Sequence, residues 1–387
     1  MSTALLARDP DLSRLLDDGY SVVLQAGHII VQIPYVTESR TVEHGFLAHP
    51  VTVAGDRLVS ETDHRIWFGG STPCDEHGRP LTLANPDPRV IADGRQANFM
   101  LSSKPPDGYP DQYAKITAYV RIVADHAHGL DSSATPTPGA AWQEIDDDSP
   151  FAYRDTATSR VGISAVNRRF RGHRVVIIGL GGSGSYILDQ VAKTEVDSIL
   201  LIDGDTFDNH NAFRAPGAAT LDTLRERPFK ATYFAAVYAN MHQGVAACPK
   251  YLDEDNLDLL EGATFAFLAS DDAASKPAII GWLEAHEVPF IDVGMGIEEI
   301  DGRLSGLLRI TTSLPGRRDA ARDRIPRSAT ERDAYASNIQ TADLNALNAV
   351  LAVIRWKRSL DIYADATGES HTTYSLITNE ITNEDLP

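Results

Sequence analysis

Short apolar runs alternate with amphipathic stretches through the second half of the chain. The runs are RVVIIG (174–179), SILLID (198–203), VAACPKYL (245–252), TFAFLAS (264–270) and VPFIDVG (288–294). Short runs of this kind read as strands buried on both faces. KATYFAAVYANMH (230–242) and SKPAIIGWLEAHE (275–287) stand between them as helices. Strands alternating with helices predict a mostly parallel sheet covered on both sides. EEIDGRLSGLLRITT (298–312) reads as an antiparallel hairpin, followed by a charged, breaker-rich loop over 313–337. NIQTADLNALNAVLAVIRWKRSL (338–360) then predicts a long helix with Ile339, Leu344, Leu347, Leu351 and Ile354 on one face, and TTYSLITNEI (372–381) a final strand.

The first half is patterned differently. SVVLQAGHIIVQIPYV (21–36) predicts two β-rich runs around an Ala-Gly turn, and HRIWFGG another strand. YAKITAYVRIVADHA sets Tyr113, Ile116, Val120 and Val123 at helical spacing. The stretch HGLDSSATPTPGAAWQEIDDDSPF is rich in Ser, Thr, Pro, Gly and Asp and marks a boundary. The expected organisation is a smaller α+β domain over residues 1–128, a linker over 129–155 and an α/β, Rossmann-like domain over 156–387.

Composition narrows the class. Hydrophobic residues make up 43% of the chain, enough for sizeable cores, and no apolar run reaches membrane-spanning length. The first residues lack the order of a secretory signal, so the expected setting is soluble and cytoplasmic. A net charge of −19 argues against a general nucleic-acid binder. Two cysteines support neither a disulfide framework nor a four-cysteine zinc site. Cys248 sits in an apolar run and is expected in a core. Cys74, in GGSTPCDEHGRP, is expected in an exposed loop whose acids raise the thiol pKa and make it a poor nucleophile.

The candidate chemistry starts at Gly179, Gly181 and Gly184, spaced as G-x-G-x-x-G with Gly182 inside. Such a turn lets phosphates approach the backbone at a helix N-terminus. Asp203, at the end of the next run, is where a carboxylate grips ribose hydroxyls. A nicotinamide-dependent oxidoreductase uses the same geometry. The residues that follow separate the two chemistries. Asp205, the spacing Asn211-x-x-Arg214, Lys230 at a helix start and Asp271 with Asp272 after a strand supply cations and a further acid. Hydride transfer does not need them. Attack on an α-phosphate does, because negative charge builds there and cations and Mg²⁺ offset it.

With these motifs in this order, residues from about 160 to 374 resemble the ThiF/MoeB/ubiquitin-activating-enzyme superfamily. The resemblance implies ATP-dependent adenylation of the C-terminal glycine of a ubiquitin-like protein, hand-over to a conjugating-enzyme-like partner, and a homodimer. It puts Gly179, Gly181, Gly182 and Gly184 at the phosphates, Asp203 and Asp205 in the ATP site, Asn211, Arg214 and Lys230 on the triphosphate, and Asp271 on Mg²⁺. Arg160 stands where such dimers donate an arginine to the neighbouring site. The sequence departs from the family in three respects. The paired CxxC motifs are absent, so no zinc is expected. Lys230 lies further from Arg214 than is usual. The loop that often carries a thioester-forming cysteine has none, which leaves Ser328 and Thr330 as candidate oxyester nucleophiles. The first region resembles an uncharacterised domain that accompanies bacterial ThiF-type proteins. A catalytically silent scaffold of the same fold is the non-enzyme alternative.

Overall fold

The computed structural model describes residues 9–384 apart from 55–56, 61–62, 93, 140–148, 154, 156, 159–162, 273, 323 and 326–338. The chain divides into two compact units, one drawn from residues 1–147 and 153–165, the other from 148–152 and 166–387.

The first unit is an antiparallel sheet with a helix against it. Helix α1 (Pro10–Asp17) is capped by Asp9, whose carboxylate accepts the Asp11 and Leu12 amides. The sheet runs β1 (Val22–Gln25), β2 (His28–Val36), β3 (Val42–Ala54), β5 (Ile66–Gly69), β7 (Arg95–Leu101) and β6 (Ala84–Ala92), with β4 (Arg57–Ser60) paired to β3 off this path. The expected Ala-Gly turn closes β1 onto β2, with positive φ at both Ala26 and Gly27. Two adjacent left-handed residues give the turn a twist that matches the strands. Helix α2 (Gln112–Leu130) buries Ile116, Val120 and Val123 against Ile29, Val31, Ile33 and Leu47.

Cys74 departs from expectation. It is fully buried with Val36 and Ala127, not exposed in a loop. The backbone explains this. Cys74 bridges both Val36 and Pro80, and its amide donates to the Val36 carbonyl at 2.9 Å, which draws the thiol inward. Burial, ahead of Glu38 and Asp75, raises its pKa.

The second unit holds an eight-stranded sheet. Its order is β10 (Val245–Cys248), β9 (Ser198–Ile202), β8 (Arg174–Ile178), β11 (Phe265–Leu268), β12 (Phe290–Ile300), β13 (Arg303–Ser313), β14 (His371–Ser375), β15 (Glu380–Glu384). Pairing is parallel from β10 to β12 and antiparallel from β12 to β15. The run read as one final strand is two, β14 and β15, because Leu376–Asn379 turn, with Asn379 at positive φ.

Alternate residues feed alternate faces. Val175 and Ile177 pack with helices α3 (Gly182–Val191), α4 (Lys230–Tyr238) and α6 (Ala342–Ser359); Val176 and Ile178 pack with α5 (Lys276–Ala285). Strands covered on both sides have no polar face, hence the continuous apolar runs. Trp356 of α6 anchors the first face. It is fully buried, with ring centroids of Phe170, Phe267 and Phe265 at 5.1, 5.8 and 6.1 Å. Truncating it to alanine is worth about 3–5 kcal/mol of stability.

Helix α6 differs from its expected face. Leu344 is buried as expected, but Leu347, Leu351 and Ile354 are only half-buried, while Asn345, Asn348, Ala349, Ala352, Val353 and Trp356 face inward. Small residues let the helix approach α3 closely, and that requirement outweighs the pull of the leucine stripe.

Candidate functional site

β9 and β10 lie on one side of β8, and β11 returns on the other. Open α/β sheets bind ligands where the strand order reverses, at the carboxyl ends of the strands. A cavity of about 450 Å³ opens there, between the turn after β8 (Gly179–Ser183) and the residues after β11 (Ala269–Asp272).

The four glycines of the turn do different jobs. Gly179 has φ +87°, a backbone that side-chain-bearing residues rarely adopt. At Gly182 a Cβ would meet the Asn345 amide at 2.0 Å, so its bareness lets α6 close over the turn. Gly184 does the same for the Gly179 carbonyl. Gly181 alone meets no described neighbour. It stands at the N-terminus of α3, where no described side chain caps the helix. The first amides of α3 are therefore the turn's uncapped donors, at the positive end of the helix dipole.

Asp203 is 9% exposed and braces the turn, accepting the Leu180 amide at 2.6 Å and the Asp205 amide at 2.8 Å. Burial raises its pKa. Each carboxylate oxygen keeps acceptor capacity for a ribose hydroxyl. Asp205 binds Lys230 Nζ at 2.7 Å and the Tyr251 hydroxyl at 2.5 Å. Burial alone would raise its carboxyl pKa, but these two bonds bring it below the usual range. Lys230 is 6% exposed.

Arg214 lines the cavity with a buried Nε that has no partner among the described residues. Burial lowers its pKa, and Asp271 and Asp205 act in the opposite direction. Asp271 is exposed at the cavity wall. Asp272 folds back on its own turn, accepting the Ala274 amide at 2.9 Å and the Ser275 hydroxyl. Asn211 lies outside the lining. Its Oδ1 accepts the Asp208 amide at 2.9 Å, holding the helical turn Asn209–Ala212 that precedes Arg214. Ser328, Thr330 and Arg160 lie outside the described residues.

Two features of the cavity escaped the sequence reading. Asn345 and Asn348 of α6 bond to Ser183 in the turn. The one signal for them was a polar pair, three residues apart, in an otherwise apolar helix. Lys276, Asp292 and Arg309 form a buried ion network on the opposite wall, and no local motif joins residues so far apart in the chain.

Among the described residues no cluster of three His, Cys, Asp or Glu is able to hold a metal ion by itself. Asp271, exposed at the cavity wall, fits Mg²⁺, which is commonly held by one or two carboxylates together with substrate phosphates. No helix among the described residues is long and apolar enough to cross a membrane.

A glycine turn at a helix N-terminus, a carboxylate at the end of the next strand and cations converging on one cavity fit a nucleotide-binding enzyme of the adenylating kind. Residues 154–382 match the ThiF family, and the chain belongs to it. Residues 10–156 match a domain of unknown function, DUF6791. No curated protein matches the chain. Similar solved structures include E. coli MccB with ATP, at 16% identity over 60% of this chain and 72% of that one, TM-score 0.47. PaaA matches at 18% identity over 57% and 75%, TM-score 0.42. The E. coli tRNA N6-threonylcarbamoyladenosine dehydratase TcdA matches at 18% identity over 53% and 92%, TM-score 0.41.

Proposed function

We propose that the chain uses ATP to adenylate the C-terminal glycine of a ubiquitin-like protein and passes it to a conjugating-enzyme-like partner, with no thioester on its own cysteines. The observation that carries this reading is the convergence of Arg214 and Lys230 with Asp203 and the open Gly181 turn on one cavity. In this reading residues 156–387 are the adenylation domain, and residues 1–128 are an accessory domain that docks the carrier or the partner or serves as a structural platform.

The roles follow from the chemistry. Asp203 accepts the ribose hydroxyls and fixes the nucleotide. The amides at the start of α3 take the phosphates. A carboxylate oxygen of the glycine attacks the α-phosphorus, the bond to pyrophosphate breaks, and pyrophosphate leaves with the electron pair. Arg214 and Lys230 offset the charge that builds in between. Lys230 is held for this by Asp205, and Arg214 by the turn that Asn211 caps. Mg²⁺, bound by Asp271 with the nucleotide, would ease the departure of pyrophosphate.

ATP–pyrophosphate exchange with candidate carriers tests the reading. Exchange should appear only with a carrier that ends in glycine, and a folded Asp271→Asn protein should lose it. Near wild-type exchange in that variant would remove Asp271 from the metal role, and thermal stabilisation by NAD but not ATP would overturn the whole reading.

A further inference from the structure

The cavity has a second cationic wall. Asp292 of β12 is completely buried, and Lys276 Nζ and Arg309 Nη2 each reach it at 2.6 Å. Burial alone would lift this carboxyl's pKa, but the two cations hold it below the usual range, so it is ionised. Two positive charges thus face one negative charge. The Lys276 and Arg309 side chains are only 11% and 12% exposed. A surplus positive charge so poorly hydrated calls for an anion.

Arg309 is held and aimed. Its guanidinium donates to Asp292, to the Thr311 hydroxyl at 3.2 Å and to the Arg324 carbonyl at 2.7 Å. A guanidinium has five N–H groups, so donors remain. Its plane lies against Gly294, where a Cβ would stand 2.7 Å from it. Asn348 bonds both the Gly294 carbonyl and Ser183. Asn345, 1% exposed, accepts from Ser183 and keeps a buried Nδ2 without a partner among the described residues. Gly294, Arg309, Asn345 and Asn348 all line the cavity.

The two walls sit on opposite sides of β8 in the sheet. Arg214 and Lys230 follow β9, while Lys276, Asp292 and Arg309 belong to α5, β12 and β13. Adenylation must bring two anions together, a triphosphate and a carboxylate that would otherwise repel each other. Building on the adenylation reading above, we infer that Arg309, fixed by Asp292, binds the C-terminal carboxylate of the acceptor, while Arg214 and Lys230 serve the phosphates. Arg309 keeps the attacking carboxylate deprotonated and oriented, and the step needs no further co-reactant.

The test uses the full chain and a short peptide ending in Gly-Gly, as free acid and as C-terminal amide. Calorimetry with a non-hydrolysable ATP analogue measures binding, and pyrophosphate exchange measures turnover. The wild type should prefer the acid. Arg309→Gln should erase that preference and raise the acceptor KM about tenfold or more, as expected for loss of a charge-assisted bond, with nucleotide Kd within about twofold. Arg309→Lys should restore part of the preference. Should Arg309→Gln not fold, Gly294→Ala displaces the guanidinium without removing charge and should show the same split. Equal losses of nucleotide and acceptor binding would assign Arg309 to the phosphates and overturn the inference, leaving adenylation standing. An unchanged acid preference would also overturn it. A wild type that binds ATP but turns over no glycine-ended peptide would take down both.

Discussion

Lys230 does not wait in water for its ligand. Its amine already bonds Asp205, which Tyr251 holds from the other side. Arriving phosphates therefore compete with a fixed carboxylate, and much of the benefit of the charge is kept for the moment when the α-phosphate is attacked. Lys230→Ala and Arg214→Ala should slow adenylation by about 3 kcal/mol each, with less effect on adenosine binding. Single-turnover kinetics with a known carrier measure this. A rise in ATP KM at unchanged rate would mean that both cations act in ground-state binding only. Spacing alone pointed to Asp203, Arg214, Lys230 and Asp271, because each follows a readable strand or opens a readable helix. It missed Asp292, which looks like an ordinary strand residue until Lys276 and Arg309 are folded against it. It also misjudged the burial of Cys74: Asp75 does act on the thiol, but Val36 and Ala127, distant in sequence, enclose it.

Helix α6 and the glycine turn act as one element. The alternation of strands and helices in the second unit was legible because burial on both faces leaves a distinctive apolar run. The inward face of α6 was not, since alanine and asparagine carry little hydropathy signal and contact with α3 decided the orientation. That contact separates two neighbouring glycines. Gly182→Ala should lower stability by about 1–3 kcal/mol, because the new methyl collides with Asn345. Gly181→Ala meets nothing among the described residues. It should unfold at the wild-type temperature yet bind ATP more weakly, since the methyl occupies the path to the first amides of α3. Thermal melts with and without ATP·Mg²⁺ compare them. Equal melting behaviour of the two variants would contradict this division of labour.

At the scale of the molecule, both cysteines are buried, Cys248 in the second unit and Cys74 in the first. Enzyme, ATP·Mg²⁺ and carrier should therefore yield no reductant-sensitive adduct on a denaturing gel. Such an adduct, lost in Cys74→Ser or Cys248→Ser, would overturn the hand-over without a thioester. A reductant-resistant, hydroxylamine-sensitive adduct lost in Ser328→Ala or Thr330→Ala would instead identify an oxyester. Light scattering at micromolar concentration should give the mass of two chains, with half-buried Ile354 and the exposed Val350 of α6 among the apolar area on offer. A fully active monomer would exclude the dimer.

The β12–β13 hairpin pairs residue for residue from Phe290↔Ser313 to Ile300↔Arg303, closed by Asp301 and Gly302, both at positive φ. A two-residue Asp-Gly loop is among the strongest local hairpin signals, and contacts between sequence neighbours form early, whereas the parallel pairs β8–β9 and β8–β11 must wait for long loops to close. Asp292 and Arg309 both ride on that hairpin, on opposite strands. In refolding from denaturant this hairpin should therefore close ahead of the parallel pairs, and pulsed hydrogen exchange should protect the amides of β12 and β13 before those of β8 and β9.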